Sequence, residues 1–323
     1  MVTNYSSPKI VAAAALLSST LDKSVADSII SKLGRTVAID NITDPAHKLV
    51  SADLTGQDIV YSRDSTPINL NTASLNDVKN LDSLIFSTNS NINLTMNSGK
   101  GADAFTGWVV TNAGNDTIKL SGLGVKVSSG DGNDSIITGK GNDSILSGNG
   151  NDSIVSGIGN DTINSGSGND SINSGAGNDS ILTGNGNDSV DSGDGNDSII
   201  TGKGNDSIIT GNGNDSLIIG AGNDTVSMGA GIDIVKLAAG YTGNSNLDGG
   251  TSGKDKDILD LTNVNIISAT KSGANVTITL IDHSIITATN FESFIYDSNG
   301  VANGGITTVG VDAFVLHVWP TIV

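Results

Sequence analysis

From Ser129 onward the chain repeats itself every nine residues, twelve times in succession and without an insertion. The repeats read SGDGNDSII, TGKGNDSIL, SGNGNDSIV, SGIGNDTIN, SGSGNDSIN, SGAGNDSIL, TGNGNDSVD, SGDGNDSII, TGKGNDSII, TGNGNDSLI, IGAGNDTVS and MGAGIDIVK, ending at Lys236. Two columns are fixed. The first is acidic: Asp134, Asp143, Asp152, Asp161, Asp170, Asp179, Asp188, Asp197, Asp206, Asp215, Asp224 and Asp233. Two residues after each comes an aliphatic side chain, from Ile136 and Ile145 through Leu217 to Val226 and Val235. A flexible Gly/Asn/Ser linker would hold neither column in place.

The spelling of the repeat follows from chemistry. Glycines let the chain turn sharply and bring carbonyl oxygens toward one point. Asp-Ser-Ile reads as a short strand whose aliphatic residue faces inward while its neighbours face outward. A carboxylate among carbonyl oxygens is a hard donor set, suited to calcium rather than to softer metals.

The tandem pattern resembles the RTX calcium-binding nonapeptide, G-G-x-G-x-D-x-U-x. The resemblance implies an all-β fold: a right-handed parallel β-roll or β-solenoid with two nonapeptides per coil and Ca2+ between turns along each edge. It implies metal ligation by the aspartate column and by Asp116, eighteen residues before Asp134 in the degenerate copy NAGNDTI. At about 4.8 Å per strand, twelve repeats stack about six coils. Aspartates on one edge then recur about 5 Å apart and repel by about 0.8 kcal/mol per pair in water, and more at lower dielectric. A cation between coils reverses that sign. One aliphatic row per sheet is a thin core, so the repeat is expected to be disordered without calcium and to fold with it. In one respect the array departs from the family: the first glycine is replaced by Ser or Thr, then by Ile219 and Met228. Such residues have less conformational freedom at a turn.

Three regions are expected: residues 1–96 as an N-terminal helical plus β capping region, 97–236 as the solenoid, and 237–323 as a C-terminal β cap. Ser7 and Pro8 suit a helix start, and Val25, Ile29, Ile30 and Leu33 lie on one face before Gly34. Short β segments follow at 37–39, 58–61, 68–70, 83–86 and 92–95, either as irregular coils or as a small separate domain. In the nonapeptide between Asp116 and Asp134, Val125 occupies the acidic slot while Val127 keeps the inward position, so one metal site is lost there. Beyond the array, Asp255, Asp257 and Asp260 are candidates for a last metal site or a polar turn. Strands are expected at 276–281 and 284–289. The resemblance implies that the C-terminal region carries an uncleaved signal for the type I export machinery. Cytosolic calcium would be too low to load sites of extracellular grade, leaving the chain unfolded for passage.

Other chemistry finds little footing. The three histidines, His47, His283 and His317, lie far apart with no HExxH, and there is no GxSxG, Walker loop or cysteine. No enzyme activity is expected, and Trp108 and Trp319 read as capping residues. A formal charge of −18 argues against nucleic acid, and no apolar run is long enough to span a membrane. The ninth residue of each repeat points outward. Alternate repeats place Ile137, Val155, Asn173, Asp191, Ile209 and Ser227 on one sheet and Leu146, Asn164, Leu182, Ile200, Ile218 and Lys236 on the other. Leu182, Ile200 and Ile218 thus form an apolar ladder suited to a contact, with another subunit or with the folded-back C-terminal segment. The apolar tail 311–323 (Val311 first, Val323 last) either caps its own end of the solenoid or offers a second route to self-association. The expected function is a secreted, calcium-binding structural protein that builds an extracellular filament, matrix or surface layer, as in proteins of this kind from Gram-negative bacteria. The alternatives are a surface adhesin or binding module and, less favoured, a fragment of a secreted enzyme or toxin. Ice binding does not fit, because the slot inside GxGND (Asp131, Lys140, Asn149, Ile158, Ser167, Ala176) carries no Thr column.

Overall fold

A computed structural model describes residues 36–38, 59–62, 68–71, 83–86, 91–96, 106–250, 256–297 and 306–310. All regular structure among them is strand. The chain divides into two compact units, residues 1–165 and 166–323.

In the first unit successive strands alternate between two parallel sheets. One contains Thr36–Ala38, Ile59–Ser62, Ser83–Phe86, Trp108–Val110, Lys126–Asp131 and Ser144–Asn149. The other contains Ile68–Asn71, Ile92–Met96, Thr117–Leu123, Ser135–Lys140 and Ser153–Ile158. Ser144 lies opposite Lys126 and Ser153 opposite Ser135, so one coil is eighteen residues, or two nonapeptides. Toward the N-terminus the coil lengthens to twenty-four: Thr117 lies opposite Asn93, and Ser83 opposite Ile59. The β segments expected before residue 96 fall within one residue of these strands, which pair in parallel as further coils. The helix expected in residues 1–35 lies outside the described residues.

Each strand of the first coils runs for six residues, Ser-Ile-x-Ser/Thr-Gly-x, rather than the three read from the sequence. Two side chains of the six face inward. Ile154 is buried, and so is Ser156 two residues later. This corrects the expectation for the first repeat position. It is not a turn position needing glycine: among the described residues only His283 and Asn290 combine a side chain with positive φ. The Ser or Thr is an extended, inward residue whose hydroxyl donates to the carbonyl of its counterpart one coil on. Ser129 Oγ reaches Ser147 O at 3.0 Å, and Thr138 Oγ1 reaches Ser156 O at 3.1 Å. The replacements Ile219 and Met228 are fully buried, as an inward slot requires.

The second unit repeats this plan. One sheet runs Ser180–Gly184, Ser198–Thr201, Ser216–Ile219, Ile234–Leu237, Ile258–Asp260 and Ser293–Asp297 in parallel, and the antiparallel strand Ile306–Gly310 ends it. The other runs Ser171–Ala176, Ser189–Asp191, Ser207–Ile209, Thr225–Ser227, Ser245–Asp248 and Ile285–Thr289, and ends on the antiparallel strands Asn275–Leu280 and Ile266–Ser272. The strands expected at 276–281 and 284–289 are found one residue displaced. Five others past the array, at Ser245–Asp248, Ile258–Asp260, Ile266–Ser272, Ser293–Asp297 and Ile306–Gly310, are not among the strands expected from the sequence. Past Lys236 the thin core thickens: Leu259, Leu261, Ile278, Phe291 and Phe294 are all buried.

Candidate metal centre

The turns between sheets place the aspartates. Gly-x-Gly bends the chain at its two glycines, both at positive φ in most turns, as in Gly148 (φ 111°) and Gly150 (φ 135°), though not at Gly202 or Gly220. Asn then lies at the surface and Asp turns inward: every column aspartate from Asp116 to Asp233 is at most 2% exposed. Within each unit these side chains stack in two columns, one at each edge of the coil.

Each carboxylate has two different oxygens. Oδ1 accepts the backbone N–H of the residue in the same slot one coil earlier. In the first unit Asp116 N donates to Asp134 Oδ1 at 2.8 Å, and Asp134 N to Asp152 Oδ1 at 2.8 Å. On the other edge Val125 N donates to Asp143 Oδ1 at 2.7 Å, so Val125 does occupy the acidic slot, and Val127 is buried beneath it. In the second unit Asp170 donates to Asp188, Asp179 to Asp197, Asp188 to Asp206, Asp197 to Asp215, Asp206 to Asp224 and Asp215 to Asp233, all at 2.8–3.0 Å.

The second oxygen differs. Oδ2 of Asp116, Asp134, Asp143, Asp188, Asp197, Asp206 and Asp215 is buried and accepts no hydrogen bond. Beside Asp134 and Asp143 the hydroxyls donate elsewhere, that of Ser129 to Ser147 O and that of Thr138 to Ser156 O. Burial pushes the carboxyls of Asp134, Asp143 and Asp206 up to about 6, against the partial pull of nearby hydroxyls and backbone N–H groups. Neighbouring aspartates in the column add to the rise. Burial raises Asp116, Asp188, Asp215 and Asp224 as well. A buried anionic oxygen without a donor is costly and calls for a cation or a proton.

The donor set fits a hard divalent cation. It consists of carboxylate and carbonyl oxygens, with no imidazole or thiolate at the turns. Among the described residues no three His, Cys, Asp or Glu side chains converge on a point. A metal held here would therefore take one or two carboxylates and complete its shell from turn carbonyls, a mixture calcium accepts.

The columns extend beyond the array, through one of the three aspartates that the sequence offers for a last metal site. Asp233 N donates to Asp257 Oδ1 at 2.9 Å, and Asp257 N to Glu292 Oε2 at 2.9 Å. Asp257, 1% exposed, is thus the next column member, twenty-four residues on. Its signal was the match of DIL at 257–259 to DIV at 233–235, hidden by the longer coil. Asp260 does not join it. Burial alone would raise its carboxyl, but Lys236, at 2.8 Å, and Thr262 outweigh that and leave it below the ordinary value. Asp255 lies outside the described residues. On the other edge Asp224 N donates to Ser245 Oγ at 2.8 Å, so a hydroxyl replaces the next carboxylate. Ser245 Oγ is also 2.5 Å from Tyr241 Oη and 3.2 Å from Asp224 Oδ2. Burial raises the Tyr241 phenol to about 12, against the pull of Ser245, with Asp224 and Asp282 adding to the rise.

The model of the RTX calcium-binding nonapeptide repeat matches residues 128–163, 155–190, 164–199, 191–226 and 200–235. The repeat array belongs to the RTX family. Its nonapeptides are those of a calcium-binding family, on the parallel β-solenoid described above. A comparison with curated proteins gave no match. No helix among the described residues is long and apolar enough to cross a membrane. Of the isolated residues, His283 stands in a turn at positive φ, and Trp108 lies in a strand with the Lys126 ammonium 4.8 Å from its ring. His47, His317 and Trp319 lie outside the described residues.

Proposed function

We propose that this protein is a secreted, non-catalytic structural element. It folds outside the cell when Ca2+ enters its aspartate columns, and the hardened solenoid is then built into an extracellular filament, matrix or surface layer. One observation carries the reading: rows of buried carboxylate oxygens with no hydrogen-bond donor, stacked at successive coils. Asp116 and the column from Asp134 to Asp233 would hold the metal, with Asp257 added. Bound calcium would supply positive charge between like-charged coils and draw turn carbonyls together. Low calcium inside the cell would keep the chain extended for type I export, and higher calcium outside would fold it.

The assembly step is supported by the outward faces. Leu182 and Ile200 are 40% and 42% exposed and stand in register with Ile218 on adjacent strands. The tail 311–323 supplies a second apolar segment for contact between copies. Sedimentation velocity and electron microscopy with and without Ca2+ test the proposal. Large, regular assemblies in millimolar Ca2+ and monomers in chelator are expected. A compact monomer at every calcium concentration would overturn the structural role.

A further inference from the structure

Beside each aspartate column runs a second ladder, built of asparagine and opposite in sense. The Asp side chain accepts from the coil before it, whereas the Asn side chain accepts from the coil after it. In the first unit Asn115 N donates to Asn91 Oδ1 at 2.9 Å, Asn133 N to Asn115 Oδ1 at 2.8 Å and Asn151 N to Asn133 Oδ1 at 2.7 Å. In the second unit the same ladder passes through Asn187, Asn205 and Asn223 at 2.7–2.8 Å.

The ladder does not stop where the carboxylates stop. At the N-terminal end Ile92 occupies the acidic slot, yet Asn91 still accepts the N–H of Asn115. At the C-terminal end Ser245 occupies the slot, yet Asn244 N donates to Asn223 Oδ1 and Ile285 N donates to Asn244 Oδ1, both at 2.8 Å. The spacings change from eighteen to twenty-one and then forty-one residues, and the ladder is kept across both. The acidic slot meanwhile ends in a plug of hydroxyls, where Ser245 bonds Asp224 and Tyr241 bonds Ser245.

We infer that the asparagine ladder carries metal-driven folding past the last carboxylate. Asn223 and Asn244 couple the metal-free strands Ser245–Asp248 and Ile285–Thr289 to the repeats, so that these strands order with the array although they hold no ligand. The inference rests on the calcium reading for its trigger, but the coupling is a property of the ladder itself.

Hydrogen–deuterium exchange of the full chain across a Ca2+ titration tests it. In the wild type, amides of residues 285–289 gain protection at the same Ca2+ concentration as those of residues 196–224. In Asn244→Ala the repeats respond at unchanged Ca2+, while protection of residues 285–289 falls about three- to ten-fold, the loss expected for one hydrogen bond. Asn244→Asp keeps an acceptor oxygen and retains protection. Asn246→Ala, at an exposed position of the same strand outside the ladder, changes nothing. Wild-type protection of residues 285–289 in Asn244→Ala overturns the inference, as does equal protection of the wild-type segment with and without metal. If the repeats show no response to Ca2+, the calcium reading fails instead. The comparison of Asn244→Ala with wild type then still measures the coupling under whatever condition folds the chain.

Discussion

At the scale of the residue, the two oxygens of one carboxylate do opposite things. Oδ1 satisfies a backbone N–H and holds the coil in register, while Oδ2 is a buried charge awaiting a partner. Asp206→Asn separates them, because the amide keeps the Oδ1 acceptor for Asp188 N and removes the charge. The metal-free fold should gain stability and the calcium-bound fold should lose it. Opposite shifts of the melting temperature, of a few degrees each, are expected in chelator and in Ca2+. The same chemistry fixes a pH dependence. The folded carboxyls of Asp134, Asp143 and Asp206 titrate at about 6, above their unfolded value near 4. Stability from protonating them is fully present below about pH 4 and is lost as pH rises through about 6. Metal-stripped protein should therefore gain β-sheet signal in circular dichroism as pH falls from 7 to 4, whereas the calcium-loaded protein should show no such gain.

At the scale of the element, the turn is where sequence and structure agree most tightly. A Cβ added at Gly150 would lie 2.0 Å from Gly132 O of the coil beneath, at φ +135°. Gly240 also has positive φ, but a Cβ there meets nothing within 4 Å. Gly150→Ala should cost at least about 3 kcal/mol and Gly240→Ala about 1 kcal/mol in chemical denaturation with Ca2+ present. Of this element, the Gly-x-Gly turn, the inward Ile and the fixed Asp column were legible in the repeat; the burial of the Asp was not. Nor was the first position. Ser or Thr at a family glycine reads as a strained turn until the strand is seen to extend through it and bury its hydroxyl. Asp257 was legible only as one of three candidates, and Ser245 and the Asn ladder into the flanks were hidden, for one reason: coils of twenty-one and twenty-four residues break the nine-residue count while preserving the slots. The hairpin at 266–280 escaped because its pairing is antiparallel and owes nothing to the repeat.

At the scale of the whole molecule, the repeats put like charge at the edges and, apart from Asn164, Asn173, Asp191 and Lys236, small or apolar side chains at the outward ninth positions. That division suits a part whose edges are loaded with cations and whose faces meet other copies. Replacing Leu182, Ile200 and Ile218 together by Asp should leave folding by Ca2+ intact and reduce assembly by at least about ten-fold in sedimentation. Unchanged assembly would assign the contact elsewhere, to the tail 311–323 in the first place. All of this depends on a cation between coils. The most direct test is a calcium titration of exhaustively demetallated protein at pH 7.4, followed by circular dichroism. A chain largely unstructured without metal, which acquires its β signal in one steep transition as Ca2+ is added, is the predicted result. A full β signal before any calcium is added would contradict it.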